Sequence, residues 1–99
     1  MVEIEWSESA KNDFNNIVSS ISQDSPGYSE YFIKVILEKI EYLKEFPKIG
    51  RKVPESDDPN DRELIFQRYR IIYYISHESI IIEMIIHGSR FLKFDKVGA

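Results

Sequence analysis

Apolar residues recur along this chain with a period of two at its start and through its second half, and with a helical period in between. Val2, Ile4 and Trp6 alternate with Glu3 and Glu5, which predicts a short strand with one buried face. Ala10, Phe14, Ile17, Val18 and Ile21 follow at helical spacing, so a helix is predicted from about Ser7 to Ser22. Ser7 is placed to cap it, and Glu8 sits where the helix dipole favours an anion. Ser25 and Pro26 open a second helix, with Pro26 at the first helical position, where its missing N–H is no loss. Phe32, Val35, Ile36, Ile40 and Leu43 form its stripe. Pro47 ends it near Glu45 or Phe46, because the residue before a proline avoids helical geometry.

The period then returns to two. Tyr69, Ile71, Tyr73 and Ile75 form one apolar face, against Arg68, Arg70, Ile72, Tyr74 and Ser76 on the other. The next run sorts into Ile80, Ile82, Met84 and Ile86 against Ile81, Glu83, Ile85 and His87, and the two runs read as a hairpin. A two-residue turn at Glu78-Ser79 is expected to pair Tyr74 with Glu83 and Arg70 with His87, which keeps the polar residues on one face. A three-residue loop would bury the Glu83 carboxylate against the core. Arg62 to Phe66 reads as a further short strand leading into the hairpin.

Strand, helix, helix and three strands make an α+β domain over residues 1–99, with a mainly antiparallel sheet and both helices on one face. The helices are expected to cover the side of Tyr69 and Ile71 and to leave the Arg70 side open. Between Pro47 and Asp61 no apolar period survives, and three prolines and Gly50 mark a long loop with sorted charges. Lys48, Arg51 and Lys52 come first, then Glu55, Asp57, Asp58 and Asp61. After Gly88, Phe91 to Ala99 shows no period and is read either as an added edge strand or as a tail.

Composition narrows the function classes. With 42% apolar residues, 99 residues supply one core and not two. The absence of cysteine excludes disulfides and thiolate metal sites, and no cofactor is expected. The acidic start Met1-Val2-Glu3-Ile4-Glu5 is unlike a signal peptide, and no apolar run approaches the ~20 residues of a membrane helix, so a soluble cytoplasmic protein is expected. The net charge of −4 argues against indiscriminate polyanion binding, yet its distribution is uneven. Residues 1–46 carry four lysines against nine acids, whereas residues 47–99 carry nine cations against eight acids. An anionic or acidic partner should therefore meet the second half.

Arg70 is costly at a strand centre unless it is paired, and Glu83 is the diagonal partner expected for it. His87, at a strand end, reads first as a hydrogen-bonded structural residue, and Trp6, Tyr69 and Tyr73 read as core or strand aromatics. Six segments in order, WSESAKNDF, SP, FPKIGRKVPE, REL, YRIIYYI and IHGSR, resemble the RelE/ParE superfamily of type II toxins, over nearly the whole chain. The resemblance implies a small toxin neutralised by a cognate antitoxin, with an α+β fold. It offers two mechanisms, gyrase inhibition in the ParE-like branch and ribosome-dependent mRNA cleavage in the RelE-like branch. A degenerate, non-toxic antitoxin-binding relative and a homodimer remain open.

If the chain is a nuclease, the resemblance points to Arg70, Arg90, Glu55 and His87 as catalytic groups. RelE-like enzymes, however, carry lysines in the strand before the YR motif and a tyrosine in the tail. Here that strand reads Asp61-Arg62-Glu63, and residues 91–99 hold no tyrosine. The ParE-like reading is therefore the expected one. Its partner-binding surface is expected to comprise Lys48, Arg51, Lys52, Arg70 and Arg90, with Phe91, Leu92 and Phe94 as apolar anchors.

Overall fold

A computed structural model describes residues 2–88 of the chain. Its elements are β1 (Glu3–Trp6), α1 (Glu8–Asp24), α2 (Pro26–Glu41) with a 3₁₀ turn at Tyr42–Lys44, β2 (Arg51–Lys52), β3 (Asp61–Phe66), β4 (Tyr69–Ile75) and β5 (Ser79–His87). The strands form one sheet in the order β1-β5-β4-β3-β2, antiparallel throughout except for the parallel β1·β5 pair. The α+β order read from the sequence is present. The two-residue strand β2 is an addition, too short to show a period.

Ser7 caps α1 as expected, its Oγ accepting from Ala10 N–H at 2.9 Å. Only Ser25 separates the two helices, so the chain reverses at once and the helices lie on one face of the sheet as a hairpin. Phe32, Ile36, Ile40 and Leu43 from the second helical segment pack with Ala10 against Phe66, Ile71, Tyr73, Ile80, Ile82 and Ile85. Trp6 and Phe14 meet edge to face at 5.5 Å beside this core.

The hairpin register differs from the expected one. Ile75 pairs with Ile80 and Ser76 N–H bonds Ser79 C=O, so the turn residues are His77 and Glu78. Farther along, Tyr73 pairs with Ile82 but Ile72 pairs with Met84, which leaves Glu83 as the extra residue of a β-bulge. The bulge exchanges the faces of everything after it. Ile85 and His87 join Ile80 and Ile82 on the helix side, and Met84 and Ile86 move to the opposite side, around Val53 and Ile72. Helix α1 takes up the backbone groups the bulge releases, since Ser7 Oγ donates to Glu83 C=O at 2.8 Å and Asp13 accepts from Ile85 N–H at 3.0 Å.

Candidate functional site

The face away from the helices is not open at Arg70. Arg70 is only 5% exposed, because residues after β2 fold back across the sheet and Val53 packs on Ile72. Charge holds this cover in place. Glu55 grips the Arg70 guanidinium with both oxygens, Nη1 to Oε2 at 2.9 Å and Nη2 to Oε1 at 2.7 Å. Glu63, fully buried, receives Arg70 Nε at 2.7 Å and Nη2 at 2.6 Å, and its other oxygen accepts from Arg51 Nε. Two arginines and two carboxylates thus neutralise one another, in the bidentate geometry that guanidinium and carboxylate favour.

The Glu55 bond is the largest influence raising the Arg70 pKa; burial opposes it and Glu63 adds to it, so Arg70 stays charged despite being enclosed. The sequence pattern offers Arg70 the diagonal partner Glu83. The diagonal partner seen on the neighbouring strand is Glu63, because β3 pairs Ile65 with Arg70 and Glu63 with Ile72.

A second clasp fixes the start of the loop from the helix side. Tyr73, in the core, donates from Oη to Pro47 C=O at 2.6 Å and accepts from Gly50 N–H at 3.0 Å. Burial pushes the Tyr73 pKa up, against the opposing Gly50 bond. Position 50 has to be glycine, since a Cβ there would lie 2.6 Å from Glu63 C=O and from Tyr73 Oη. Arg62 bonds Gly50 C=O and Pro59 C=O, both at 3.1 Å, and Ser56 Oγ bonds the buried Asp61 carboxylate at 2.6 Å. The segment read as a long loop is therefore tied down along its length. The ties that fix its start, from Tyr73 to Pro47 and Gly50 and from Arg62 to Gly50, join residues 12 to 26 positions apart, so no local pattern signals them.

Of the residues singled out as catalytic, the structure brings Glu55 and Arg70 together. His87 lies on the other face, opposite Tyr69, with ring centroids 6.0 Å apart, an outcome of the bulge. Arg70 and His87 border, from opposite faces, a recess of ≈ 310 Å³ at the β3–β4 turn that Arg51 and Arg68 also line. Lys48, Arg51 and Lys52 are exposed, although Arg51 is bonded to Glu63. Arg90, Phe91, Leu92 and Phe94 lie outside the described residues.

The family described as the ParE toxin of type II toxin–antitoxin systems, parDE, matches residues 4–91. The chain belongs to that family. Among curated proteins none matches the chain in sequence. Solved structures resemble it in fold. The chromosomal ParDE system of P. aeruginosa superposes with a TM-score of 0.73 at 20% identity, over 88% of this chain and 96% of that one. The RelBE2 toxin–antitoxin complex of Mycobacterium tuberculosis gives 0.57 at 14% identity, over 87% and 96%. The conserved protein HP0894 of Helicobacter pylori gives 0.55 at 16%, over 93% and 100%. At such identities the likeness is one of fold, which ParE and RelE toxins share, and a shared fold leaves the target to be argued from the residues.

Proposed function

We propose that this ParE-family toxin acts by binding a protein target, DNA gyrase, rather than by cleaving mRNA on the ribosome, and that a cognate antitoxin neutralises it. One observation carries the choice of mechanism: the arginine that an RNA-cleaving relative would present to a phosphate is enclosed here and bonded to two carboxylates. A nuclease has to stabilise charge developing on a phosphate and to work in the polyanionic field of the ribosome, which favours free cations on a basic face. This chain has a pI of about 5.2, and the ring of His87 lies across the sheet from Glu55.

A binder needs a shaped surface with a few anchors. Lys48, Arg51 and Lys52 supply exposed cations along the β2 edge, and Ile65 on β3 stands half exposed beside them. Strand β2 pairs with Arg62 and Glu63, and Val53 N–H bonds Asp61 C=O at 3.1 Å just beyond it, so β2 and Val53 leave Leu64 to Phe66 of the β3 edge uncovered. The rest of the β3 edge is where an extended, acidic antitoxin segment would add as a strand. Action on either target would require a cytoplasmic toxin. Among the described residues no helix is long and apolar enough to cross a membrane.

Purified toxin assayed on gyrase supercoiling and on mRNA bound to programmed ribosomes tests the reading. Inhibited supercoiling with intact mRNA is expected. Ribosome-dependent cleavage abolished by Arg70→Lys or His87→Ala, with supercoiling untouched, would overturn it and assign Glu55, Arg70 and His87 to catalysis.

A further inference from the structure

The outer edge of β3 turns the backbone of Ile65 outward with no partner strand among the described residues. Two bonds fix the phase of the β3 ladder: Ile75 N–H bonds Asn60 C=O on the β4 side, and Val53 N–H bonds Asp61 C=O on the β2 side. Residues of an antiparallel strand bond alternately to one neighbour and the other, so Asp61, Glu63 and Ile65 all face away from β4. Val53 takes up Asp61 and Arg51 pairs with Glu63, but the β2 ladder stops before it reaches Ile65, which is 50% exposed. An outward N–H and C=O on a sheet edge are a template for one more strand.

The two faces of this edge select the strand it takes. Leu64 and Ile65 point to opposite sides of the sheet. On the Ile65 side, the recess at the β3–β4 turn is lined by Arg51, Arg68 and Arg70 and by no carboxylate. Arg70 is held by Glu55 and Glu63, but Arg51 gives only Nε to Glu63 while its side chain stays 60% exposed. Arg68 is exposed and makes no ion pair among the described residues. On the Leu64 side, a recess of ≈ 310 Å³ is lined by Val35, Ile49 and Tyr42, with Glu38 and Lys39 at its border and the Lys39 ammonium over the Phe66 ring.

We propose, building on the antitoxin reading above, that the edge at Ile65 selects an extended segment of alternating character. An acidic residue lies beside Ile65, within reach of Arg51 and Arg68, and an apolar neighbour lies beside Leu64 in the recess against α2. Pairing with Ile65 sets the register, since a slip of one residue would carry the carboxylate to the apolar side and the apolar residue to the arginines. A second copy of this chain is a poor occupant. Pairing edge to edge about a two-fold axis would bring Arg51 and Arg68 of both copies onto the same face, like charge against like. A nucleic acid would meet the arginines but has no peptide backbone to complete the ladder.

Titrating the whole chain with the acetylated and amidated pentapeptide Thr-Val-Glu-Val-Thr, followed on backbone amide resonances, tests this. A Kd on the order of a millimolar is expected for so short a contact, with a large shift at the Ile65 amide. Lys in place of the central Glu should weaken binding about tenfold, and Arg68→Glu should invert that preference. Ile65→Pro removes the outward N–H without touching the β3–β4 ladder, and should abolish binding while circular dichroism shows the fold retained. Ile65→Thr keeps the N–H and should still bind. No binding of the Glu-centred peptide at about ten times that concentration, equal affinity for the Lys-centred one, or binding that survives Ile65→Pro would each overturn the proposal. So would an oligothymidylate that shifts the Ile65 amide at a lower concentration than the peptide. The readout needs neither gyrase nor antitoxin, so a toxin that leaves supercoiling untouched would overturn the proposed function and leave this test in force.

Discussion

The two faces of the sheet are held by different physics. On the helix side, Phe32, Ile36, Leu43, Ile71, Tyr73, Ile80 and Ile82 are fully enclosed, and stability comes from apolar area removed from water. On the other side the apolar patch is small, Val53 and Ile72 with Met84 and Ile86, and Arg70, Glu55, Glu63 and Arg51 fasten the covering loop. The first face tolerates no cavity and the second no unpaired charge. Arg70 therefore works as a fastener of the covering loop.

The comparison is broken most severely by removing one anchor from each side. Phe32→Ala should cost about 3–5 kcal/mol through the cavity it leaves. Arg70→Ala should cost a similar 3–5 kcal/mol, because the enclosed Glu63 loses a partner that water cannot replace. Urea denaturation of both variants measures this. Were Arg70→Ala within about 0.5 kcal/mol of wild type, the second face would not depend on its charges.

Gly50→Ala joins the two faces, since the added methyl would press on both Glu63 C=O and Tyr73 Oη. A loss of about 2–3 kcal/mol is expected, together with faster amide exchange in residues 47–61. Tyr73→Phe strands Gly50 N–H and Pro47 C=O, at about 1–3 kcal/mol. The Tyr73 pKa is raised above 10.0 by burial, so its contribution is complete below pH 10 and is lost as pH rises past that value. Thermal melts in alkaline buffer should show the wild type falling toward Tyr73→Phe, which has no hydroxyl to titrate. The smallest effect runs the other way. Gln67 holds φ at 59°, and Gln67→Gly should stabilise the β3–β4 turn by about 1 kcal/mol, read as a rise in melting temperature.

Most of the apolar face was legible in the sequence, because burial imposes a period that residues such as Phe32, Ile36 and Ile40 display locally. The bulge was not. Ile80 to Ile82 and Met84 to Ile86 are apolar on both parities, so neither set marks which side faces the helices beyond Glu83. Its deciding contacts come from Ser7 and Asp13, more than seventy positions earlier in the chain. The same limit hid the fasteners of the second face. Glu63 reads as an exposed strand acid until β3 is paired with β4, and Glu55 as a loop acid until the loop folds over Arg70. Polar ties of this kind have no period to announce them.

The most direct measurement of the central claim, that the charge of Arg70 serves to hold the loop, is a double-mutant cycle on stability with Glu55→Gln, Arg70→Met and the two combined. A coupling of about 1.5–3 kcal/mol is predicted, with amide protection of residues 53–61 falling in both single variants. A coupling within about 0.5 kcal/mol of zero, with protection unchanged, would contradict it and leave Arg70 available for another role.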